Sequence, residues 1–475
     1  MNNDDWILLS LFFYLFVAVP AFVYVVRVKK AGFLDPAVQF LIFLTLFVIP
    51  LPLRAYMTKE IEGDVTEHLL ELLPFLPAAV FMTAISLPLF LWGYYSRFAE
   101  RLAVRLPKPR TGENLAAPVI FLGVFSLFLL IQLASDSGGL LNFILLGYGA
   151  SSEIYGKGHL AIGFPWLFVA SLFLLHRYAI IRKKLDLLLF VVAFVLICAI
   201  FLLIGSRNMI VYMFLTVALF WHYAIRPIRF KRLAALGLLS FLALNIVGYL
   251  RTSNYQSLGD FWTTSASAYQ ESSSARGRMF YTLTIGEFVV PFETLPQMIR
   301  SVGSEIQPQL GLTYIKDVML WVPSVLFPDR PPTLTHWYME TFYGEGHGLN
   351  IGRSFFFLSE GYLNFGILGI FATMVVWGVF LGVVHFYLRA AHGAPGAVLL
   401  CALTIAFIYR GLAGDFYSMF VGLPEQSLSA AIIGLWVANY GSKKKLWVKA
   451  PATRRISDAM PVPPYSAPAS LHDAE

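Results

Sequence analysis

Long runs of apolar residues alternate with short polar connections along most of the chain. An α-helix needs about 20 such residues to cross the hydrocarbon core of a bilayer, and backbone groups inside lipid must be bonded within a helix. The pattern therefore predicts an all-α polytopic membrane protein with about eleven transmembrane helices and no internal repeat. The seventh and tenth runs are short, so tilted or re-entrant helices are alternatives there. The predicted spans are residues 6–26, 36–53, 69–95, 115–134, 161–181, 187–205, 209–225, 233–250, 367–388, 397–412 and 423–440.

Composition excludes an ordinary soluble domain. Of the 475 residues, 58% are hydrophobic and 13% are charged, and the mean hydropathy is +0.68. Soluble domains carry about a quarter charged residues. The two cysteines, Cys198 and Cys401, lie within apolar runs and are interpreted as small hydrophobic residues, not as a disulfide or a metal site. We expect contact with the lipid bilayer, no cofactor and no nucleic-acid partner.

The basic residues are distributed unevenly between the two predicted sides of the membrane. One side holds 23 of the 35 lysines and arginines and the other holds 12, whereas the acids divide 7 against 21. Short connections rich in Lys and Arg face the cytoplasm. The sequence thus predicts an N-terminus outside the cytoplasm and a C-terminus inside it.

One predicted outer connection is far longer than the others and divides the chain. Residues 1–250 form an N-terminal bundle of about eight helices, 251–365 a large outer loop, 366–441 the C-terminal helices and 442–475 a disordered cytoplasmic tail. Within the loop, "IGEFVVPFETLPQMIRSV" is amphipathic and is expected to lie on the membrane surface. Loops of this length are usually functional, so we expect the chemistry here.

The loop closes with "GEGHGLNIGRSFFFLSEGYLNFG", which leads into the ninth predicted helix. If that helix begins near Arg353, then Arg353, Glu360 and Asn364 lie on one stripe of it. The preceding glycines allow the backbone to bend closely around a ligand. The arrangement is typical of a site for an anionic group with Glu360 as proton acceptor. The alternative is an Arg353–Glu360 pair that anchors the helix at the interface.

Several further arginines lie on the predicted outer side, against the usual charge bias. Arginine at the membrane edge is costly and tends to mark a functional site, and its planar fork suits phosphate or carboxylate. Arg251 and Arg330 are interpreted as ordinary surface residues. The candidates for anion binding are Arg207, Arg276, Arg278, Arg353 and Arg410, with Asn364 beside them.

Two motifs and their separation resemble a known family. "GSRN" at 205–208, the long loop, and "GRSFFFLSEGYLNFGILG" at 352–369 are similar to the O-antigen polymerase (Wzy-like) family, which is related to the O-antigen ligases. The resemblance implies a GT-C-like helix bundle in the bacterial inner membrane, with a periplasmic active site. The implied partners are glycans linked to undecaprenyl diphosphate, a flippase and a chain-length regulator. Arg207 and Arg353 match diphosphate-binding arginines, and His336 or His347 matches the ligase histidine.

The residue chemistry fits the reaction that the resemblance implies. When a hydroxyl attacks an anomeric carbon bearing diphosphate, arginines can stabilise the departing negative charge without a metal. Glu360 or His347 could act as the general base. No DxD-like pair and no His/Cys cluster indicates a metal. The alternatives are a ligase-type glycosyltransferase and, third, a polysaccharide transporter or flippase, for which internal repeats and mid-helix charges are more typical.

Overall fold

A computed structural model describes residues 3–57, 71–109, 114–136, 138–139, 158–203, 206–229, 231–232, 290–320, 322, 331–344, 354–391, 393–440 and 447–448. Within these ranges ten helices are long and apolar enough to cross a membrane. The protein is therefore an all-α multi-pass membrane protein. In chain order, the membrane helices and four shorter helices that bear on the site are α1 (Asn3–Val28), α2 (Pro36–Tyr56), α3 (Leu73–Tyr94), α4 (Arg97–Arg105), α5 (Ala117–Asp136), α6 (His159–Ile181), α7 (Lys184–Leu202), α8 (Asn208–Ile225), α9 (Val290–Ser301), α10 (Leu312–Met319), α11 (Leu334–Tyr343), α12 (Phe357–Ala390), α13 (Pro395–Leu412) and α14 (Tyr417–Ala438).

Ten of the eleven predicted spans overlap these membrane helices. The seventh and tenth spans, which were short in sequence, are helices of 18 residues each, α8 and α13. The eighth predicted span, 233–250, lies outside the described residues. Cys198 and Cys401 are both buried and free, as expected.

Local sequence signals set the starts of several helices. Asp35 precedes α2, its carboxylate accepts the backbone N–H of Ala37 (3.0 Å), and Pro36 occupies the first helical position. Ser96 caps α4 by accepting the N–H of Ala99 (3.2 Å). These caps satisfy backbone donors that would otherwise be unpaired at the helix start.

The helices α3 and α12 cross closely and meet through glycines. A Cβ atom on Gly378 would lie 2.2 Å from the carbonyl oxygen of Phe90, and one on Gly382 would lie 2.4 Å from that of Tyr94. Small residues let membrane helices approach this closely, and dispersion contacts then replace the missing hydrophobic drive. Beside the crossing, the rings of Phe40 and Phe90 stack 3.8 Å apart.

A kink divides α12 near its start. Phe365 (φ −137°, ψ 18°) and Gly366 (φ 61°, ψ −141°) leave the helical conformation, and the positive φ suits glycine. A Cβ atom on Gly369 would lie 1.7 Å from the carbonyl oxygen of Gly361, so the two sides of the kink touch backbone to backbone. The kink falls at the predicted boundary between the loop and the C-terminal helices.

Bonds between helix termini define the two ends of the bundle. The hydroxyl of Tyr223, late in α8, donates to the carbonyl of Leu34 just before α2 (3.2 Å). At the opposite end, Arg410, late in α13, donates to the sulfur of Met209, early in α8 (2.9 Å). We call the first the basic end, after Lys29, Arg97 and Arg389, and the second the carboxylate end, after Asp317, Glu360 and Asp415.

The helix α9 does not lie on a surface, contrary to the expectation from its amphipathic sequence. Nine of its twelve residues are buried, and it packs against α12, α3 and α2. Its polar residues bond to protein: the Thr294 hydroxyl lies 2.8 Å from that of Ser359 and accepts the N–H of Phe356 (3.0 Å). Because its polar face has partners, the helix can be covered on all sides.

A short ladder joins two connections at the basic end. Lys108–Pro109 pairs antiparallel with Trp447–Val448. Two residues of the predicted disordered tail are therefore in a strand, while 441–446 and 449–475 lie outside the described residues.

Candidate functional site: a buried carboxyl cluster beside an arginine

Three buried acidic side chains meet at the carboxylate end. Asp317 comes from α10, Glu360 from the segment of α12 before the kink, and Asp415 from the turn between α13 and α14. Their exposed fractions are 2%, 1% and 2%. Buried acids without basic partners are rare because the charged form loses its hydration, so this cluster is the first candidate for a functional site.

Glu360 is held from both sides. Its Oε1 accepts the hydroxyl of Thr313 (2.7 Å), and its Oε2 accepts the backbone N–H of Phe416 (2.6 Å). The amide of Asn364 donates to the same Thr313 oxygen (2.7 Å), and its own oxygen accepts the N–H of Gly311 (2.8 Å). The structure thus places two predicted site residues, Glu360 and Asn364, in one network that ties α10 and the 413–417 turn to α12.

Asp317 is the titratable member of the cluster at neutral pH. Its Oδ2 accepts the N–H of Tyr417 (3.1 Å), and its carboxyl group also bonds to that of Glu360. Burial, and then the negative charge of Asp415, raise the pKa of Asp317 to about 7. A hydrogen bond between two carboxyl groups requires a proton on one of them, so Asp317 and Glu360 share at least one proton when this bond is formed.

Asp415 faces a set of donors. Its Oδ1 accepts the N–H (3.0 Å) and the hydroxyl (2.8 Å) of Ser418. Burial raises the pKa of Asp415, while the bonds from Ser418 and from the backbone of Leu334 act against that rise. Leu334 is the first residue of α11, and the N-terminus of a helix favours a nearby negative charge.

Arg410 lies near the end of α13, five residues before Asp415. Its Nη1 donates to the Sδ of Met209 (2.9 Å) and to the Oε1 of Gln426 (2.8 Å), and its guanidinium carbon is 5.0 Å from the centroid of the Phe407 ring. Among the described residues it has no carboxylate partner. A half-buried cation without a counter-ion at the end of a membrane helix is costly, so the position favours an anionic ligand.

The start of another helix faces Arg410. Arg207 is the first residue of the 14-residue helix Arg207–Phe220, and Met209, which contacts Arg410, follows two residues later. The N-terminus of a helix carries a partial positive charge and free N–H groups that bind phosphate. The backbone thus brings the predicted positions Arg207 and Arg410 to one place.

The predicted site residue His336 lies near the start of α11. Its Nε2 is 3.0 Å from the Oε1 of Glu340, one turn further along the same helix. Its backbone N–H completes the Thr333 cap (3.4 Å). It lies in the first turn of α11, whose Leu334 approaches Asp415.

The condition for the expected stripe, a helix that begins near Arg353, is not met in the described residues. The residues 354–356 that precede α12 are not helical, and Phe356 is extended (φ −82°, ψ 133°) because its N–H bonds to Thr294 of α9. The helix therefore begins at Phe357, after Arg353. Four predicted site residues lie outside the described residues: Arg276, Arg278, His347 and Arg353.

The sequence analysis did not identify Asp317 or Asp415 as a site residue. Asp415 is in "YRGLAGDF", five residues after Arg410, so its proximity to that arginine was a usable signal. Asp317 is in "LTYIKDVM", where nothing distinguishes it from a surface acid. In the part of the chain that the structure describes, no group of three or more His, Cys, Asp or Glu residues could hold a metal ion.

Comparison with known proteins gives no match. No family model, no curated protein and no solved structure is similar to the chain. The resemblance to O-antigen polymerases therefore depends on the two short motifs and on the arrangement of helices and loop.

Proposed function

We propose that the protein is a metal-independent glycosyltransferase that polymerises oligosaccharide repeat units carried on undecaprenyl diphosphate. One observation carries the proposal. In the segment 408–417, Arg410 has no carboxylate partner among the described residues, and the N–H of Phe416 donates to Glu360 of the carboxyl cluster. An anion site and a proton acceptor are thus adjacent in the chain, as the reaction requires.

The diphosphate of the donor binds at Arg410 and at the N-terminus of the helix Arg207–Phe220. The acceptor hydroxyl oxygen forms a bond to the anomeric carbon, and the bond from that carbon to the diphosphate oxygen breaks. The electron pair leaves with the diphosphate, whose growing charge is stabilised by the guanidinium and the helix N–H groups. The predicted positions Arg276, Arg278 and Arg353 would add to this charge.

The hydroxyl proton passes to the Asp317–Glu360 pair. Both carboxylate oxygens of Glu360 already accept hydrogen bonds, from Thr313 and Phe416. In this proposal Glu360 therefore acts together with Asp317, whose pKa is about 7. A general base is most effective when its pKa is close to the working pH. Asn364 and Thr313 position Glu360 for this exchange.

The proposal includes a location and partners. The carboxylate end faces the periplasm and the basic end faces the cytoplasm, because Lys and Arg are concentrated at the basic end. The membrane is the bacterial inner membrane. A flippase delivers the lipid-linked units and a chain-length regulator limits the polymer.

A second candidate is a proton-coupled transporter of anionic glycolipid. Coupled buried carboxyl groups that titrate near neutral pH are typical of proton relays in transporters. The third candidate, an O-antigen ligase, shares the donor chemistry and differs only in its acceptor.

Deletion of the gene in its native bacterium, with analysis of the surface glycan, separates the three. Loss of polymer with single repeat units retained supports a polymerase. Long lipid-linked polymer left unattached indicates a ligase, and repeat units trapped on the cytoplasmic face indicate a transporter. Complementation with Arg410→Gln or Asp317→Asn should fail to restore the polymer, whereas the exposed control Asp136→Asn, at the end of α5, should restore it.

A further inference from the structure

A cleft of about 570 Å³ opens at the basic end, far from the carboxyl cluster. It lies between the last turn of α1 and the junction of α3 with α4. The residues that line it and matter here are Tyr24, Lys29, Trp92, Tyr95, Ser96 and Arg97.

The cleft carries two basic side chains, Lys29 and Arg97. Neither Lys29 nor Arg97 forms an ion pair with a described residue. The ammonium of Lys29 lies instead over two aromatic rings, 4.7 Å from the centroid of Tyr95 and 5.5 Å from that of Tyr24. Ring faces attract a cation but leave its charge uncompensated, so the cleft favours an anion.

A hydroxyl group in the cleft lacks a partner. The Tyr95 oxygen is buried, and no described residue bonds to it. Burial raises the pKa of Tyr95, and so do the charges of Asp35 and Tyr24, while Arg389 acts in the opposite direction. The hydroxyl therefore stays protonated and can donate. Buried polar groups are normally satisfied, and a ligand oxygen would satisfy this one.

The surroundings show which kind of molecule carries the anion. Trp92, in the last turn of α3, is 67% exposed, and Phe98, in α4, is 60% exposed. Exposed tryptophan at a helix end marks the membrane–water interface. The helix α4 is amphipathic, with Ala99 and Ala103 buried and arginine at its first, fifth and last positions, as in helices that lie in the interface. The cleft therefore opens at the level of the lipid headgroups.

We propose that this cleft binds the phosphate headgroup of an anionic phospholipid. The phosphate lies between Lys29 and Arg97 and accepts a hydrogen bond from the Tyr95 hydroxyl, while the acyl chains run along Trp92. Basic pockets between transmembrane helices are known to hold such headgroups. The bound lipid joins the end of α1 to α3 and α4, and the proposal is independent of the function of the carboxylate end.

The test measures lipid binding to the purified full-length chain in detergent. Retained lipid is counted by native mass spectrometry during titration with phosphatidylglycerol or phosphatidylcholine. Phosphatidylglycerol should bind more tightly, and Lys29→Gln should weaken it about fivefold. Tyr95→Phe should weaken it as well. Lys30→Gln, which removes the neighbouring exposed charge, should leave the affinity unchanged.

Three outcomes would overturn the proposal. Equal binding of the two lipids would remove the charge argument, and equal affinity in Lys29→Gln and Lys30→Gln would move the site elsewhere. If glycerol 3-phosphate binds as tightly as the lipid, the cleft recognises a free phosphate and not a membrane component. If Lys29→Gln does not fold, the lipid affinity of Tyr95→Phe decides the test, because this variant removes only the hydroxyl oxygen. An affinity equal to that of the wild type would then contradict the proposal.

Discussion

Acidic side chains are buried at both ends of the bundle, but their neighbours differ. At the basic end, Asp35 lies 2.9 Å from the imidazole of His385 and accepts the Tyr94 hydroxyl (2.7 Å) and the N–H of Ala37 (3.0 Å). At the carboxylate end, Asp317 has two other acids as neighbours. The same side-chain type thus meets an imidazole and hydrogen-bond donors at one end and other acids at the other.

The consequence appears in the proton affinities. Burial alone raises the pKa of Asp35, but His385, Tyr94 and Ala37 together hold it below its usual value. The pKa of Asp317 rises to about 7, through burial and then Asp415. A satisfied carboxylate stabilises a fold, whereas a cluster of like charges costs stability and is found where chemistry needs a mobile proton. The comparison favours a structural role for Asp35 and supports the proposed role of Asp317 as a proton acceptor.

The largest expected effect tests the structural carboxylate. Asp35→Ala removes the cap of α2 and leaves His385 and Tyr94 without their partner. Breaking a buried pair costs about 3–5 kcal/mol, so the midpoint of thermal unfolding in detergent should fall sharply. The exposed control Asp136→Ala should unfold like the wild type. An unchanged midpoint for Asp35→Ala would remove the distinction between the two ends.

The next effect concerns Arg410, which has no carboxylate partner among the described residues. Arg410→Gln should lower the polymerisation rate by about 10²–10³-fold, as loss of one preorganised oxyanion donor does. Arg410→Lys keeps the charge but loses the fork, so it should rescue only part of the rate. The measurement is polymer formed in membranes supplied with lipid-linked repeat units. Arg226→Gln, at an exposed arginine of the basic end, is the matched control, and an equal loss there would contradict the assignment.

A smaller loss is expected at the titrating acid. Asp317→Asn keeps the shape and removes the proton acceptor, so the rate should fall by about 10²-fold. Its thermal midpoint should stay equal or rise, because the neutral amide cannot carry the buried charge that Asp415 disfavours. The opposite pattern, a normal rate with a lowered midpoint, would make Asp317 a structural residue like Asp35.

The smallest effect is a dependence of stability on pH. The folded-state pKa of Asp317, about 7, exceeds the unfolded value. Its contribution to stability is thus fully present below the unfolded pKa and is lost as pH rises through 7. Between pH 8 and pH 6 the free energy of unfolding of the wild type should rise by up to about 1 kcal/mol. Asp317→Asn should not show this dependence on pH. The pKa of Asp35 is lowered, so its contribution to stability is present above the unfolded pKa. That contribution is lost as the pH falls through the folded-state pKa, in the acid range.

The helices were predictable because each apolar run carries its own signal, and the Glu360–Asn364 contact was predictable because four residues make one helical turn. Asp317 joins Glu360 across 43 residues of sequence, so no local pattern reveals it. The position of α9 was predicted wrongly, since a membrane surface and a protein partner select the same amphipathic pattern. The start of α12 was set by a bond to Thr294 that sequence alone does not show.

The glycine crossing of α3 and α12 has a mechanical consequence. The Cβ positions of Gly378 and Gly382 are filled by backbone of α3, so neither helix can slide along the other without collision. Beyond the kink at Phe365 and Gly366, the helix α12 continues along α3 to Arg389. When a bilayer is thinner or thicker than a protein's apolar belt, helices adapt by tilting or sliding. In this protein the glycine crossing favours tilting of α3 together with the part of α12 beyond the kink, so we expect this pair to respond to membranes of different thickness as one body.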